Sequence, residues 1–206
     1  TANITAAAEV LPLSQIPSEA AEEHLIPVGV EKIAIVGNRD IARSIKELPV
    51  PVDVLSNRML KHTGQLENGR MLQTIAPSFN FASSSISDGT DVLKPATLRG
   101  LGPDQTLILV NGKRRHHASL LHINTSVGRG TSGVGINSIP FQSIKRIEIL
   151  RDGAAAQYGS DAIAGVINIV LKDSDSQGQL TTTLGQYSVG DGQSIDISAN
   201  KGFSLF

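Results

Sequence analysis

Along the chain the apolar positions change their period several times, and each change predicts an element. Val50, Val52 and Val54 alternate in VPVDVLS (50–56), which reads as a strand. NRMLKHTG then predicts a short helix, capped by Asn57 and stopped by Gly64, and ENGRMLQTIAPSF predicts a second helix ended by Pro77. Residues 80–95, rich in Ser, Asp and Gly, predict a polar loop, and ATLRGLG predicts a strand. QTLILVNGKRRH is a hairpin, because Asn111-Gly112 suits the two positive-φ positions of a type I′ turn. Residues 116–138 predict a long loop. IPFQSIKRIEILRDG predicts a helical turn and then a strand, with Ile147 and Ile149 on one face and Arg146 and Glu148 on the other. AAAQYGSDAIAG predicts a short helix and turn. GVINIVLK sets Val166, Asn168 and Val170 against Ile167, Ile169 and Leu171, a strand covered on both faces.

The last segment has another pattern. From Ser194 to Phe206 the odd positions are Ile195, Ile197, Ala199, Lys201, Phe203 and Leu205, and the even positions are small or polar. GQLTTTLGQY alternates more weakly before it, and SVGDGQ joins the two. Such a pair fits transmembrane β-barrel strands, or else a soluble amphipathic hairpin. An isolated hairpin is marginal in water, so the pair reads as the opening of a larger sheet. No run reaches 18 apolar residues, so no transmembrane helix is expected.

Residues 1–30 keep no period and predict a mobile leader, with one short helix near Ser18 to Leu25. EKIAIVG (31–37) is β-prone and lies between flexible stretches. It is either the first strand of the domain or a segment that adds to a partner's sheet edge.

Charge changes the picture locally. The chain totals -1, which argues against nucleic-acid binding. Residues 1–30 carry four Glu and no base, whereas residues 94–151 carry nine bases against Asp104 and Glu148. That basic region is either a solvated face or an interaction surface. The absence of Cys excludes a disulfide framework and a Cys-based metal site.

VGRGTSGVG holds a Gly-x-Gly-x-x-Gly at Gly128, Gly130 and Gly133. A dinucleotide loop must open a helix, and Gly135 and Pro140 forbid one there, so the match is chance. His116, His117 and His122 read as solvated loop histidines rather than metal ligands. No nucleophile–base pair or carboxylate pair stands out, so the chain is not expected to be an enzyme, and no cofactor is implied. Arg99, Arg146, Glu148 and Arg151 lie in or beside apolar strands, where charge must be paired, with each other or with a surrounding wall.

Two stretches carry a resemblance. Arg99-Gly100, Leu109 to Gly112, Ile139-Pro140, Ile144 to Arg151, Tyr158 to Ser160, Ala162 to Ile169 and Lys172 resemble, in order and spacing, the plug domain of TonB-dependent outer-membrane receptors. Asp152 and Ala164 depart mildly from the family pattern, which has Gly at both places.

The resemblance implies an α+β fold: a small plug domain with a mixed β-sheet and short helices, over residues 40–173. A β-hairpin, 178–206, would follow and begin a transmembrane barrel of about 22 strands, here truncated. EKIAIVGNR resembles the TonB box, so Glu31, Lys32, Ile33, Ala34, Ile35, Val36 and Gly37 would pair with TonB, the periplasmic energy-coupling protein, within a segment 31–39. Two loops would face outward to a small-molecule or metal-chelate ligand, carrying Ser84, Ser85, Asp88, Asp91, Arg115, His117, His122 and Arg129. The glycines around Arg129 suggest a mobile apex, and the basic cluster favours an anionic ligand such as a ferric siderophore. The implied function is nutrient import across the bacterial outer membrane, with the plug in the lumen of its own barrel. A stand-alone periplasmic or surface binding domain that reuses the plug fold is the alternative.

Overall fold

A computed structural model describes residues 52–84, 87–124, 127–151, 154–173 and 178–203. The expected leader and the segment Glu31 to Gly37 lie outside these residues, as do Ser85 and the last three positions.

The fold is α+β and centres on a mixed five-stranded sheet. In chain order the strands are β1 (Val52–Ser56), β4 (Thr106–Val110), β5 (Lys113–Arg114), β6 (Ile144–Leu150) and β7 (Gly165–Leu171). They stand in the order β1-β6-β7-β4-β5, with β4 parallel to β7 and every other pair antiparallel. Helices α1 (Asn57–Lys61), α2 (Asn68–Ile75), α3 (Thr90–Leu93) and α4 (Ala154–Tyr158) are short. Strands β2 (Phe79–Phe81) and β3 (Ala96–Leu98) form a separate antiparallel pair. Strands β8 (Gln179–Gly185) and β9 (Ser194–Asn200) form a hairpin after the sheet.

The sheet is buried on both faces, as the apolar run of β7 requires. Ile108, Ile147, Ile149, Ile167 and Ile169 pack against Leu60, Met71, Leu72, Phe79, Phe81 and Leu98. On the other face Val52, Leu107, Leu109, Leu150 and Val166 pack against Ala154 and Ala162. Each fully buried Ile or Leu contributes about 2 kcal/mol, so this double-sided core sets the stability of the domain. Asn111 (φ 50) and Gly112 (φ 75) make the left-handed turn between β4 and β5. Asn111 Oδ1 also accepts from the Leu171 amide at 2.8 Å, tying the turn to the end of β7.

Four local expectations are corrected. Ser56, not Asn57, caps α1, its Oγ accepting from the Met59 amide at 3.3 Å. Asn57 turns inward and donates to the Ile144 carbonyl at 2.8 Å, a long-range bond that local sequence cannot reveal. The stretch 80–95 is not wholly loop: Phe79 and Phe81 flank Asn80 in β2, which pairs with β3, and α3 follows. The glycine-rich loop is packed rather than loose. A Cβ on Gly128 would fall 2.6 Å from Pro103 Cγ, Gly133 is buried, and Val134 and Ile136 join the core. Finally, β9 ends at Asn200 and residues 201–203 are not strand, while the last three positions of the expected alternation lie outside the described residues.

Candidate functional site

The loops spanning 80–95 and 114–137 pack on one another. His122 is fully buried, and its Nδ1 lies 3.0 Å from Thr90 Oγ1 at the start of α3. Its own amide donates to the Thr131 carbonyl at 2.9 Å, and its carbonyl accepts from the Gly130 amide at 2.8 Å. Asn124 Nδ2 donates to Asp88 Oδ2. A Cβ on Gly89 would meet Leu120 at 3.1 Å, and one on Gly135 would meet Leu93 at 3.3 Å. A side chain expected to face ligand is therefore the internal tie between the two loops. Desolvation by this burial pushes the His122 pKa down.

The other loop residues lie around this tie. Ser84 is half-buried; Asp88 is exposed, with a positive φ of 40°, and Asp91 sits half-buried in the first turn of α3. Arg129 is exposed. Arg115 lies at the base of its loop, where its amide donates to Ile108 at 2.9 Å and Nη2 to Ser138 Oγ at 3.4 Å. His117 Nδ1 is 3.4 Å from Ser132 Oγ.

The charges near the strands are tied within the domain. Arg146 Nε donates to Glu148 Oε1 at 2.8 Å, and Asn168 Nδ2 donates to Glu148 Oε2 at 2.9 Å. Arg151 pairs with Asp53 and donates to Ser78 Oγ at 2.7 Å. Arg99 takes a positive φ of 56° and donates to the Arg151 carbonyl at 2.7 Å.

Elsewhere Lys94 pairs with Glu67 at 2.6 Å, Arg114 with Asp161, and Lys145 with Asp173 at 3.1 Å. So, among the described residues, five of the nine bases that made residues 94–151 strongly basic in sequence have acidic partners. Four of those five acids lie outside that stretch. Asp53 had a sequence signal, as the one charge in an apolar strand; Glu67 and Asp161 had none.

Glu67 gathers several elements. It precedes α2 and accepts from Lys94 Nζ, which follows α3; Oε2 lies 3.5 Å from Arg70 Nε and 3.4 Å from Asn137 Nδ2. Burial raises its pKa, but the Lys94 bond and charge, Arg70 and Asn137 outweigh that, and the carboxyl sits below its ordinary value.

The same carboxylate lines a cleft of about 600 Å3 between the sheet domain and the hairpin. Asn68, Asn137 and Gln142 line one wall, and Thr181, Asp196 and Ser198 the other. Lys172 Nζ donates across to Gln179 Oε1 at 3.2 Å. The hairpin therefore turns its polar side to the domain. Its apolar side faces away: Leu180 is 72% exposed, Leu184 73%, Ile195 71% and Ile197 69%. A soluble hairpin would bury that face, whereas a barrel strand shows polar residues to the lumen and apolar residues to lipid.

A two-sided α+β domain with interlocked loops, followed by a hairpin whose apolar side is bare, has the architecture of a plug domain. The family model for the TonB-dependent Receptor Plug Domain matches residues 44–166, and the chain belongs to that family. The ferrienterobactin receptor of Escherichia coli K12 is 32% identical over 153 residues, covering 74% of this chain and 17% of that protein. The vitamin B12 transporter BtuB of Vibrio vulnificus is 28% identical over 155 residues, covering 75% and 23%. Among solved structures, the ferric enterobactin receptor PfeA of Pseudomonas aeruginosa superposes with a TM-score of 0.56 at 28% identity, covering 75% of this chain and 22% of that one. The chain thus spans about a fifth of the length of the curated relatives it matches.

Proposed function

We propose that this chain is the plug and first barrel hairpin of an outer-membrane receptor that binds a scarce nutrient and imports it into the periplasm. The observation that carries the reading is the inside-out hairpin: its polar face looks onto the plug and its apolar face is left bare, as lipid contact demands. In this reading the plug fills the barrel lumen. TonB pairs with the strand-prone segment Glu31 to Gly37, and the pull displaces the plug far enough to open a path.

A ferric siderophore is the leading ligand class. Several relatives are named as ferric enterobactin receptors, and the exposed Arg129 suits an anionic chelate. The relatives named as vitamin B12 transporters make cobalamin the second ligand to assay. Ser84, Ser85, Asp88, Asp91, Arg115, His117 and Arg129 remain the ligand-facing set; His122 leaves it, because its ring points into the loop interior.

The test is uptake of radio-iron as ferric enterobactin, and of labelled cobalamin, by cells whose only such receptor is the full-length protein. Ile35→Pro removes a strand donor and is expected to abolish uptake while leaving surface binding intact. Undiminished uptake in that variant would move the coupling segment elsewhere. Recovery of the protein from the periplasmic rather than the outer-membrane fraction would favour a stand-alone binding domain.

A further inference from the structure

We propose that His122 is a protonation-sensitive clamp that holds the two plug loops together when neutral and releases them when charged. The geometry carries this. The ring is fully buried between the loops, and Thr90 Oγ1 takes its Nδ1 at 3.0 Å. Its Nε2 is buried and has no hydrogen-bond partner among the described residues. Gly133 lies beside it: an added Cβ there would stand 3.4 Å from Nε2. Pro103 and Pro95 close the same wall and offer no donor or acceptor from their rings.

A neutral imidazole tolerates this site, because one nitrogen is bonded and the other meets apolar surface. The imidazolium must donate from both nitrogens, and here the second donor would be buried with nothing to receive it, which is costly. The charged groups on the surrounding elements are Asp88 and Asp91 before and within α3, Lys94 after it, Arg114, Arg115, His116, His117 and Arg129 on the same loop, and Asp104 beside Pro103. Thr90 is the side chain bonded to the ring among the described residues, and Asp88 is bonded to Asn124.

The sign follows. A histidine whose folded pKa is depressed contributes stability that is present above the unfolded value of about 6.5 and is lost as the pH falls through the folded value. The loops should therefore separate in mildly acidic medium, while the isoleucine core of the sheet stays closed. If the loops face ligand, a consequence that rests on the function proposed above, capture weakens there as well.

The test is amide hydrogen exchange on the full-length receptor in detergent, without ligand, from pH 7.5 to 4.5 and corrected for intrinsic rates. It reads the loops directly, so its result stands whether or not the transport reading does. Amides in 87–93 and 118–133 are expected to lose protection about tenfold or more, with a midpoint below the ordinary histidine value of about 6.5, while β6 and β7 keep theirs. In His122→Asn, whose amide can still bond Thr90, the loss is expected to vanish. Should that variant be loose already at pH 7.5, the wild-type midpoint decides alone. A midpoint above the ordinary histidine value of about 6.5, no loss at all, or the same loss in a well-protected His122→Asn would each overturn the proposal.

Discussion

Glu148 and Arg146 point to the same face of β6 and pair at 2.8 Å, with the carboxylate fully buried and only 8% of the arginine side chain exposed. Asn168 completes the network: it donates to Glu148 from one side, and its Oδ1 accepts from the Gly112 amide at 3.0 Å. Two charges and an amide thus run from mid-sheet to the β4–β5 turn.

That pair should behave as one unit. Arg146→Leu leaves a buried carboxylate with a single amide donor, and is expected to cost about 3–5 kcal/mol. Arg146→Leu/Glu148→Leu should cost less than the two single changes summed, with a coupling of about 2 kcal/mol. Urea unfolding of the four members of the cycle measures this. Strictly additive losses would show that the pair is not coupled.

Gly165 opens β7 where no other residue fits. Its φ is +140°, and an added Cβ would stand 2.5 Å from the Leu150 carbonyl oxygen and 2.6 Å from Leu98. The first obstacle is backbone of the paired strand, so it cannot swing aside. Gly165→Ala is expected to cost about 3 kcal/mol or more, since strain and overpacking add. Gly112→Ala, where φ is +75° and nothing lies within 4 Å, should cost only about 1 kcal/mol. Equal losses in denaturant midpoint would mean that β1–β6 yields at Leu150.

Much of this architecture was legible, and the reason differs by element. The two-faced apolar run of β7, the Asn111-Gly112 turn and the dyad pattern of the hairpin are local signals, and local physics decides them. What failed was long-range. Residues 116–138 look polar in sequence, yet His122, Val134 and Ile136 are buried there, because Thr90 and the prolines arrive from elsewhere in the chain. The basic excess of 94–151 was in large part a property of sequence windows, reduced in space by Asp53, Glu67, Asp161 and Asp173. Of the glycines that suggested mobility at Arg129, Gly128 and Gly133 are small enough to let the loop lie on Pro103, whereas Gly130 faces open space.

Glu67 gives a second pH window, separate from that of His122. Its folded pKa is depressed, so the stability it contributes is present above the unfolded value of about 4.3 and lost as the pH falls through the folded one. The carboxylate is about a third exposed, so solvent screens the pairs, and Glu67→Gln should cost about 1 kcal/mol or less at pH 7. Well below the folded value, where Glu67 is protonated, wild type and variant should be equally stable. A variant penalty that persisted there would show that packing around Lys94, not charge, holds this corner.

The hairpin permits a comparison between neighbouring residues. Thr183 and Leu184 are adjacent in β8, but Thr183 stands opposite Asp196 on the cleft side, and Leu184 opposite Ile195 on the bare side. In the full-length receptor, Leu184→Arg puts a charge toward lipid and is expected to cost up to about 2–4 kcal/mol, depending on depth. Thr183→Arg gains a cross-strand carboxylate and should be near neutral. Urea unfolding in lipid vesicles, with the yield of folded receptor as a second readout, compares them directly. A tolerated Leu184→Arg beside a damaging Thr183→Arg would reverse the assignment of faces. It would place the apolar side against protein, and remove the observation on which the barrel reading stands.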